Sequence, residues 1–265
     1  MKKLITLLTV AVMICGSAIA TVAAPLPTTA LVNSVTPHYL PGSVEYSQIV
    51  SGGPIQTAGD YATFKKLVQD NTTTTIYLTA DIVQTKSDYA PIALKKANSQ
   101  KPLLVIDGNG FTITEYSGAT TGGFIAFKLD KTVTALTVQN LIIKGFNRDG
   151  FIRAEDTNKV ERVVTFDNVT YVGRSIADLA SASGHVGETL VLKDCVIESS
   201  KAAGTTINRQ VGDAHNIILE GTIQIKRDNN AGASDNYGIF RVRGDYLTVK
   251  SGAVVNIVND TVGGL

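Results

Sequence analysis

A repeat of about 28 residues runs through most of this chain and constrains its fold more than any other feature. Seven short runs rich in aliphatic and β-branched residues are each centred on a marker residue, usually Gly, Asn or Asp, and the spacings between markers are 28, 32, 28, 26, 27 and 30 residues. The runs are TIYLTADI, LVIDGNGFTI, LTVQNLIIK, VTFDNVTYV, LVLKDCVIE, IILEGTIQI and LTVKSGAVV, with markers Ala80, Gly108, Asn140, Asn168, Asp194, Gly221 and Ser251. Self-similarity at this period predicts a stack of similar units.

Apolar and polar residues alternate within each run, which is the period-2 pattern of a strand with one buried face. The marker residues tolerate a left-handed backbone at a tight corner. A second set of short runs interleaves with the first: GFIAF (123–127), GFIRA (150–154), SIADL (175–179), TTINR (205–209) and GIFRV (238–242). Two or three strands per repeat are typical of one coil of a parallel β-helix.

We therefore expect an all-β chain, a right-handed parallel β-helix of about seven coils, since parallel crossovers are nearly always right-handed. An antiparallel sandwich also uses many short strands. It needs frequent hairpin turns, however, and only the segment Gly108-Asn109-Gly110 looks like one.

The two ends of the predicted helix differ in sequence. Thr57 and Asp60 have the spacing of a capping box, and apolar residues follow at helical spacing, which predicts a short helix over 60–69 that covers the first coil. No comparable cap follows the last strand. Because open strand edges must be covered, either another chain pairs with the C-terminal edge or a further domain is missing.

The N-terminus predicts export. Lys2 and Lys3 precede the apolar run 4–14, and small residues follow, so residues 1–20 form a signal peptide with cleavage after Ala20 or Ala23. A lipoprotein anchored through Cys15 is less favoured, because the bulky Ile14 precedes that cysteine. The apolar run is shorter than the roughly 20 residues that span a bilayer, so no membrane span is expected. Residues 21–55 form an extended lead-in, and residues 56–265 form the β-helix domain, which the C-terminus could truncate.

Composition excludes several classes of function. The chain has 24 Lys+Arg and 23 Asp+Glu, a net charge of +1, so it lacks the basic footprint of a nucleic-acid-binding protein. It has two cysteines and three histidines, which predicts neither a metal cluster nor a cofactor site. Cys195 takes an inward position in its strand and is expected to be a buried, inert thiol.

One group of charged residues is a candidate binding site. The residues share nearly the same offset in successive coils of the second strand set, with Lys128 nearby, and they are Arg153, Asp178, Arg209 and Arg241. Arginine forks suit carboxylates and sulfates, so this stripe would hold an acidic glycan. A surface ladder of salt bridges explains the same pattern.

The first strand set offers no catalytic carboxylates. β-Helix lyases and hydrolases need acidic groups clustered in neighbouring coils. The polar position before the marker instead mixes acids and bases: Asp107, Gln139, Asp167, Lys193, Glu220 and Lys250. This mixture favours a solvated face over an active site.

The stretch from YATFKKLVQDNTTTTIYLTADI through KPLLVIDGNGFTIT to ALTVQNLIIKGF resembles the pectate lyase-like adhesive domain of Gram-positive surface proteins. The I-D-G-N-G segment is its most specific part, and the resemblance covers about Tyr61 to Asn259. It implies a secreted or wall-associated binding module, often part of a longer protein.

These observations lead to three hypotheses. The first is a non-catalytic adhesion module, secreted or at the cell surface, whose partner is a polysaccharide or a host or matrix surface. The second is a polysaccharide lyase or glycoside hydrolase of the β-helix type. The third is a passive spacer in a larger surface protein.

Overall fold

The computed structural model describes residues 55–70, 72–85, 92–94, 103–116, 127–130, 132–145, 150–154, 161–179, 187–199, 210–227, 238–244 and 246–259. All of them belong to one compact unit, Ser34–Leu265. The predicted signal peptide and nearly all of the predicted lead-in lie outside these residues.

The described residues form one helix and a series of short parallel strands. The helix is α1 (Tyr61–Gln69). The strands are β1 (Ile55–Ala58), β2 (Thr75–Leu78), β3 (Ile82–Val83), β4 (Ile92–Leu94), β5 (Leu103–Asp107), β6 (Thr112–Thr114), β7 (Phe127–Leu129), β8 (Ala135–Gly145), β9 (Ile152–Ala154), β10 (Arg162–Gly173), β11 (Ala177–Asp178), β12 (Glu188–Lys193), β13 (Val196–Ser199), β14 (Gly212–Ala214), β15 (Asn216–Glu220), β16 (Thr222–Arg227), β17 (Phe240–Val242), β18 (Leu247–Val249) and β19 (Val254–Asn259).

The strands build two sheets. The 13-stranded sheet, called here the long sheet, has the order β1-β2-β5-β8-β10-β12-β15-β18. Five further strands belong to it: β6 pairs with β3 and β8, β13 pairs with β10 and β16, and β16 pairs with β19. The six-stranded sheet, called the short sheet, has the order β4-β7-β9-β11-β14-β17. All pairings among the described strands are parallel. The chain therefore winds as a parallel β-solenoid of about four turns, and the antiparallel alternative is wrong.

The core consists of aliphatic rows that run from coil to coil. One such row joins Leu104, Leu136, Val164, Leu190 and Ile217, which are register partners in successive strands and are all buried. Burying each side chain of this size contributes roughly 1.5–3 kcal/mol relative to leaving it exposed. The alternation seen in the sequence thus positions the core as predicted.

Left-handed residues turn the chain at one corner of each coil. Asn140, Asn168 and Asp194 have φ values of 51°, 53° and 50°, and Gly221 follows at 65°. The amide of Asn168 donates to the side-chain oxygen of Asn140 at 2.9 Å, so the corner residues also bond between coils. At Gly221 a Cβ would lie 2.2 Å from the carboxylate of Asp194, so a larger residue there would have to displace that side chain. The predicted role of the marker residues is confirmed at these four positions.

Helix α1 covers the N-terminal end of the solenoid. Phe64 and Val68 are buried, and α1 packs against β1 and β4. The N-cap is Asp60 rather than Thr57: the Asp60 carboxylate accepts from the Thr63 N–H at 2.8 Å, whereas Thr57 lies in β1 opposite Tyr77. The predicted helix is confirmed, and the predicted capping box is wrong because strand pairing takes Thr57. Among the described residues no helix has the length and apolar character needed to cross a membrane.

Candidate functional site

The outward positions of the short sheet bring charged residues from successive coils into one row. The register aligns them strand by strand as Lys128, Arg153, Asp178, Asp213 and Arg241, which we call the short-sheet row. In β9 the residues on either side of Arg153 are buried, so Arg153 itself faces outward. Register neighbours in adjacent strands lie about 4.8 Å apart, close enough for their charges to interact.

Three members of the predicted stripe lie in the described strands. Arg153, Asp178 and Arg241 occupy equivalent register positions, and Asp213 lies between Asp178 and Arg241. The strand that pairs with β11 and β17 is β14, and the predicted strand 205–209, with Arg209, lies outside the described residues. Among the described residues the row therefore holds three cations and two acids, and the place of Arg209 stays a prediction.

Asp213 is buried at this outward position, with 1% of its surface exposed, and its charge is balanced from beside the row. Arg243 donates from Nε to Oδ1 and from a terminal nitrogen to Oδ2, both at 2.7 Å, and the amide of Gln210 donates to Oδ2 at 2.7 Å. Two parallel charge-assisted bonds make a strong, directional pair. The hydrogen bond to Asp213 raises the pKa of Arg243 above its ordinary value, so this arginine stays charged.

Asp178 is the second buried carboxylate of the row, 2% exposed, and lies between Arg153 and Asp213 in the register. Its charge also raises the pKa of Arg243, after the larger contribution of Asp213. Two neighbouring carboxylates would repel each other, so the cations on both sides stabilise this part of the row.

The cations of the row differ in their availability. Lys128 and Arg153 are half-buried and make contacts of their own. The side chain of Arg241 is exposed, and no hydrogen bond or ion pair joins this side chain to another described residue. Arg241 is thus the cation of the row that is free to meet an external anion.

The long sheet carries a second outward row, called the long-sheet row: Asp107, Gln139, Asp167, Lys193 and Glu220, aligned as predicted. Gln139 donates to Asp107 at 2.8 Å and Lys193 donates to Asp167 at 2.8 Å. The hydrogen bond to Asp167 raises the pKa of Lys193. Asp107 and Asp167 thus accept hydrogen bonds from side chains of the next coil, so their charges are compensated within the row.

Asp213 does not have the setting of a retaining-hydrolase carboxylate. A retaining hydrolase uses two accessible carboxylates about 5–5.5 Å apart, whereas both oxygens of Asp213 are already bonded to Arg243. No group of three or more His, Cys, Asp or Glu side chains in the described ranges is placed to hold a metal ion. Cys195 is buried as predicted, and burial raises its pKa to about 12.

Sequence reasoning missed Asp213, Gln210 and Arg243. A signal for Asp213 exists: β9 reads I-R-A and β14 reads G-D-A, each a charged residue before a small inward alanine. Aligning these triplets, rather than the β-branched run at 205–209, would have identified the correct row member. Arg243 lies beyond β17, and no spacing in the sequence indicates its contact with Asp213.

Two solved structures are similar to this chain, and the first of them supports the same fold. The solved structure "L. reuters 100-23 SRRP" matches with a TM-score of 0.50 and 18% identity over 78% of this chain, and the chain covers 62% of that protein, less than two thirds. "L. reuteri 53608 SRRP" matches with a TM-score of 0.45 and 16% identity over 78% of this chain and 83% of its own. A search of curated proteins found no match.

The family comparison concerns the first half of the solenoid. Residues 55–177 match the family model described as a pectate lyase-like adhesive domain. This segment contains α1, the I-D-G-N-G turn and the strands through β10 that carried the sequence resemblance. Over residues 55–177 the chain is therefore similar to the pectate lyase-like adhesive family that its sequence resembles.

Proposed function

We propose that this solenoid is a non-catalytic adhesion domain that works outside the cell and binds an acidic polysaccharide through the short-sheet row. The observation that carries the proposal is the exposed guanidinium of Arg241 at one end of a row whose other members include Arg153 and Lys128. Arginine binds carboxylates and sulfates in a bidentate manner. The adhesive description of the matching family supports the same role.

The row suits weak, repeated contacts rather than one deep site. Its members lie at the strand spacing of about 4.8 Å, and its central acids are buried beneath the surface that a ligand would meet. A polymer presents many anionic groups, so binding would gain strength through multivalency. Arg209 remains a proposed contributor.

Several finer expectations belong to this proposal. They are a right-handed solenoid of about seven coils, secretion by a signal peptide cleaved after Ala20 or Ala23, residence at the cell surface or in the wall, and a C-terminal edge that meets another chain or a further domain. The strand order of both sheets supports the number of coils. The n-region, apolar run and small residues of the N-terminus support export.

Binding of the full chain to immobilised polygalacturonate, alginate and neutral dextran tests the proposal. We expect retention on the two acidic polymers only, weakened by added salt because exposed charges are screened. Arg241→Ala combined with Arg153→Ala should reduce retention at least tenfold. Lys250→Ala, which removes an exposed cation directly after β18, is the matched control and should leave retention unchanged.

Two results would overturn the proposal. Equal retention of the double variant and the wild type would show that the short-sheet row does not bind the polymer. Release of unsaturated uronate products from either acidic polymer, detected by their ultraviolet absorbance, would show a lyase instead of a binding module. Arg209→Ala measured in the same way tests the predicted role of that residue.

A further inference from the structure

The turn 108–111 between β5 and β6 contains the pair Asn109-Gly110, which is chemically the most reactive of the described corners. The backbone nitrogen that follows an asparagine can attack the side-chain amide carbon of that asparagine. A glycine in the following position favours this attack because it has no side chain to block the approach. Asparagines at two other corners are followed by the bulky residues Leu141 and Val169.

The reaction exchanges bonds and needs only water. The nitrogen of Gly110 loses its proton and bonds to Cγ of Asn109, the bond from Cγ to the side-chain nitrogen breaks, and ammonia leaves with the proton. Water then opens the succinimide ring at one of its two carbonyl groups. The products are aspartate, or isoaspartate, in which the backbone runs through the former side chain.

The folded turn keeps the attacking nitrogen bound. Asn109 and Gly110 have φ values of 49° and 81°, and the N–H of Phe111 donates to the carbonyl of Gly108 at 2.8 Å, as in a type I′ turn. The N–H of Gly110 donates to the carbonyl of Asn140 in the next coil at 2.7 Å. The nitrogen must give up this bond before it can attack, so pairing with the next coil opposes the reaction.

The side chain of Asn109 lies in an equally unreactive setting. Negative charge develops on its Oδ1 atom during the attack, so hydrogen-bond donors at this oxygen would speed the reaction. Oδ1 is buried, and no residue in the described ranges donates a hydrogen bond to it. The N–H of Asn109 donates to Oδ1 of Asp107 at 2.9 Å, which holds the backbone on the other side of the side chain.

Asp107 ties this turn to the neighbouring strand β8. Its carboxylate is 2% exposed and accepts from the side-chain amides of Gln139 at 2.8 Å and of Asn140 at 3.3 Å. The turn can therefore open only when these contacts with β8 are broken. Local openings of this kind have free energies of their own, up to that of global unfolding.

We infer that Asn109 is a deamidation site that the folded corner keeps closed, so that conversion occurs when the turn separates from β8. Closing the turn does not reverse the conversion. Aspartate at this position adds a second carboxylate near the buried Asp107, and isoaspartate adds a carbon to the backbone of a turn whose register is fixed. The conversion is thus a permanent record of opening. Asn109 takes no part in the short-sheet row, so this site is independent of polysaccharide binding.

Incubation of the full chain at pH 8, in buffer and in denaturing guanidinium chloride, tests the inference by peptide mass spectrometry. Because only the open turn reacts, the conversion of Asn109 should be about tenfold slower or more in buffer than in denaturant. The gain in mass of its peptide measures the conversion, and labelling by an isoaspartate methyltransferase identifies isoaspartate. The peptides that contain Asn140 and Asn168 are internal references and should convert more slowly than Asn109 in denaturant.

Variants of the anchoring carboxylate test the role of the corner. Asp107→Ala removes the acceptor for Asn109 and should raise the rate in buffer about tenfold, without changing the rate in denaturant. Gln139→Ala removes one donor to the same carboxylate and is the milder variant, with an expected increase of about threefold. Asp167→Ala, at the register position aligned with Gln139 in β10, is the matched control and should leave both rates unchanged.

Three results would overturn the inference. Equal rates in buffer and in denaturant would show that the folded corner gives no protection. An Asn109 that stays unconverted in denaturant would show that it is not a deamidation site. Asp107→Ala and Gln139→Ala proteins that keep their fold by circular dichroism and convert as slowly as the wild type would show that the bonds of Asp107 do not control the reaction.

Discussion

The outward rows of the two sheets contain similar residues but balance their charges differently. In the long-sheet row, Asp167 meets Lys193 of the next coil at 2.8 Å, and both side chains are partly exposed. In the short-sheet row two acids are adjacent and buried, and Asp213 is neutralised by Arg243 from outside the row. Stacked coils therefore balance charge by themselves only when signs alternate along the row.

How each row neutralises its acids distinguishes residues that stabilise the fold from residues that can bind a ligand. Where two acids are neighbours in a row, a cation from a segment between strands neutralises them. That cation is then held by hydrogen bonds within the protein and is not available to a ligand. Arg243 is committed in this way by two bonds of 2.7 Å. Arg241, two residues earlier, is exposed and has no such bond among the described residues.

Asp213→Asn should produce the largest difference between the rows. The substitution keeps the shape of the side chain but removes the charge, and Arg243, whose side chain is 27% exposed, loses its carboxylate partner. Breaking a buried pair costs about 3 kcal/mol of unfolding free energy. Asp167→Asn in the exposed pair should cost less than about 1 kcal/mol. Urea denaturation followed by circular dichroism measures both, and equal losses would contradict the contrast.

Gln210→Ala should have the next largest effect. Its amide donates to the buried Asp213 at 2.7 Å, and hydrogen bonds to charged groups contribute about 1.5–3 kcal/mol. Because Arg243 still holds the carboxylate, we expect a loss near 1.5 kcal/mol. A double-mutant cycle with Asp213→Asn should give a combined loss smaller than the sum of the single losses. Strict additivity would mean that Gln210 acts elsewhere.

The sequence predicted the core and the long-sheet row well because both follow the period-2 alternation of long strands. Leu136, Val138 and Asn140 have the positions expected for two inward residues and a corner. Burial of aliphatic side chains dominates the energy of these strands, and it leaves a regular pattern. Such strands can be aligned from the sequence alone.

The short-sheet row was harder to predict because its strands are only two or three residues long. β14 reads G-D-A and has little apolar signal, whereas the nearby run 205–209 alternates and contains isoleucine. The alternation therefore selected the run that contains Arg209 and did not select Asp213. The same weakness affected the helix N-terminus, where strand pairing of Thr57 with Tyr77 outweighed the capping-box spacing.

Raising the pH should weaken the Lys193–Asp167 pair but not the Arg243–Asp213 pair. The expected change in stability is smaller than in the two predictions above. The Lys193 pKa is raised above 10.5, so its pair with Asp167 stabilises the fold fully below that value and is lost as pH rises through the higher folded-state pKa. Lys193→Met should thus cost less than about 1 kcal/mol at pH 8 and almost nothing once pH exceeds the folded-state pKa. Arg243 stays charged, so the Asp213→Asn loss should persist. Denaturant titrations of both variants at pH 8 and at a pH above the folded-state pKa of Lys193 measure these losses. A Lys193→Met loss that did not shrink at the higher pH would argue against the ion pair.

Arg241→Ala should change stability least of all. An exposed side chain without a protein partner contributes within about 0.5 kcal/mol, whereas Arg243→Ala leaves the carboxylate of Asp213 buried without its cation and should cost about 3 kcal/mol. Thermal and urea unfolding of the two variants measures the difference. If Arg241→Ala destabilised the fold as much as Arg243→Ala, the short-sheet row would be a structural ladder of salt bridges from end to end. The Arg241 side chain would then be paired within the protein, and it would not be available to bind an acidic polysaccharide.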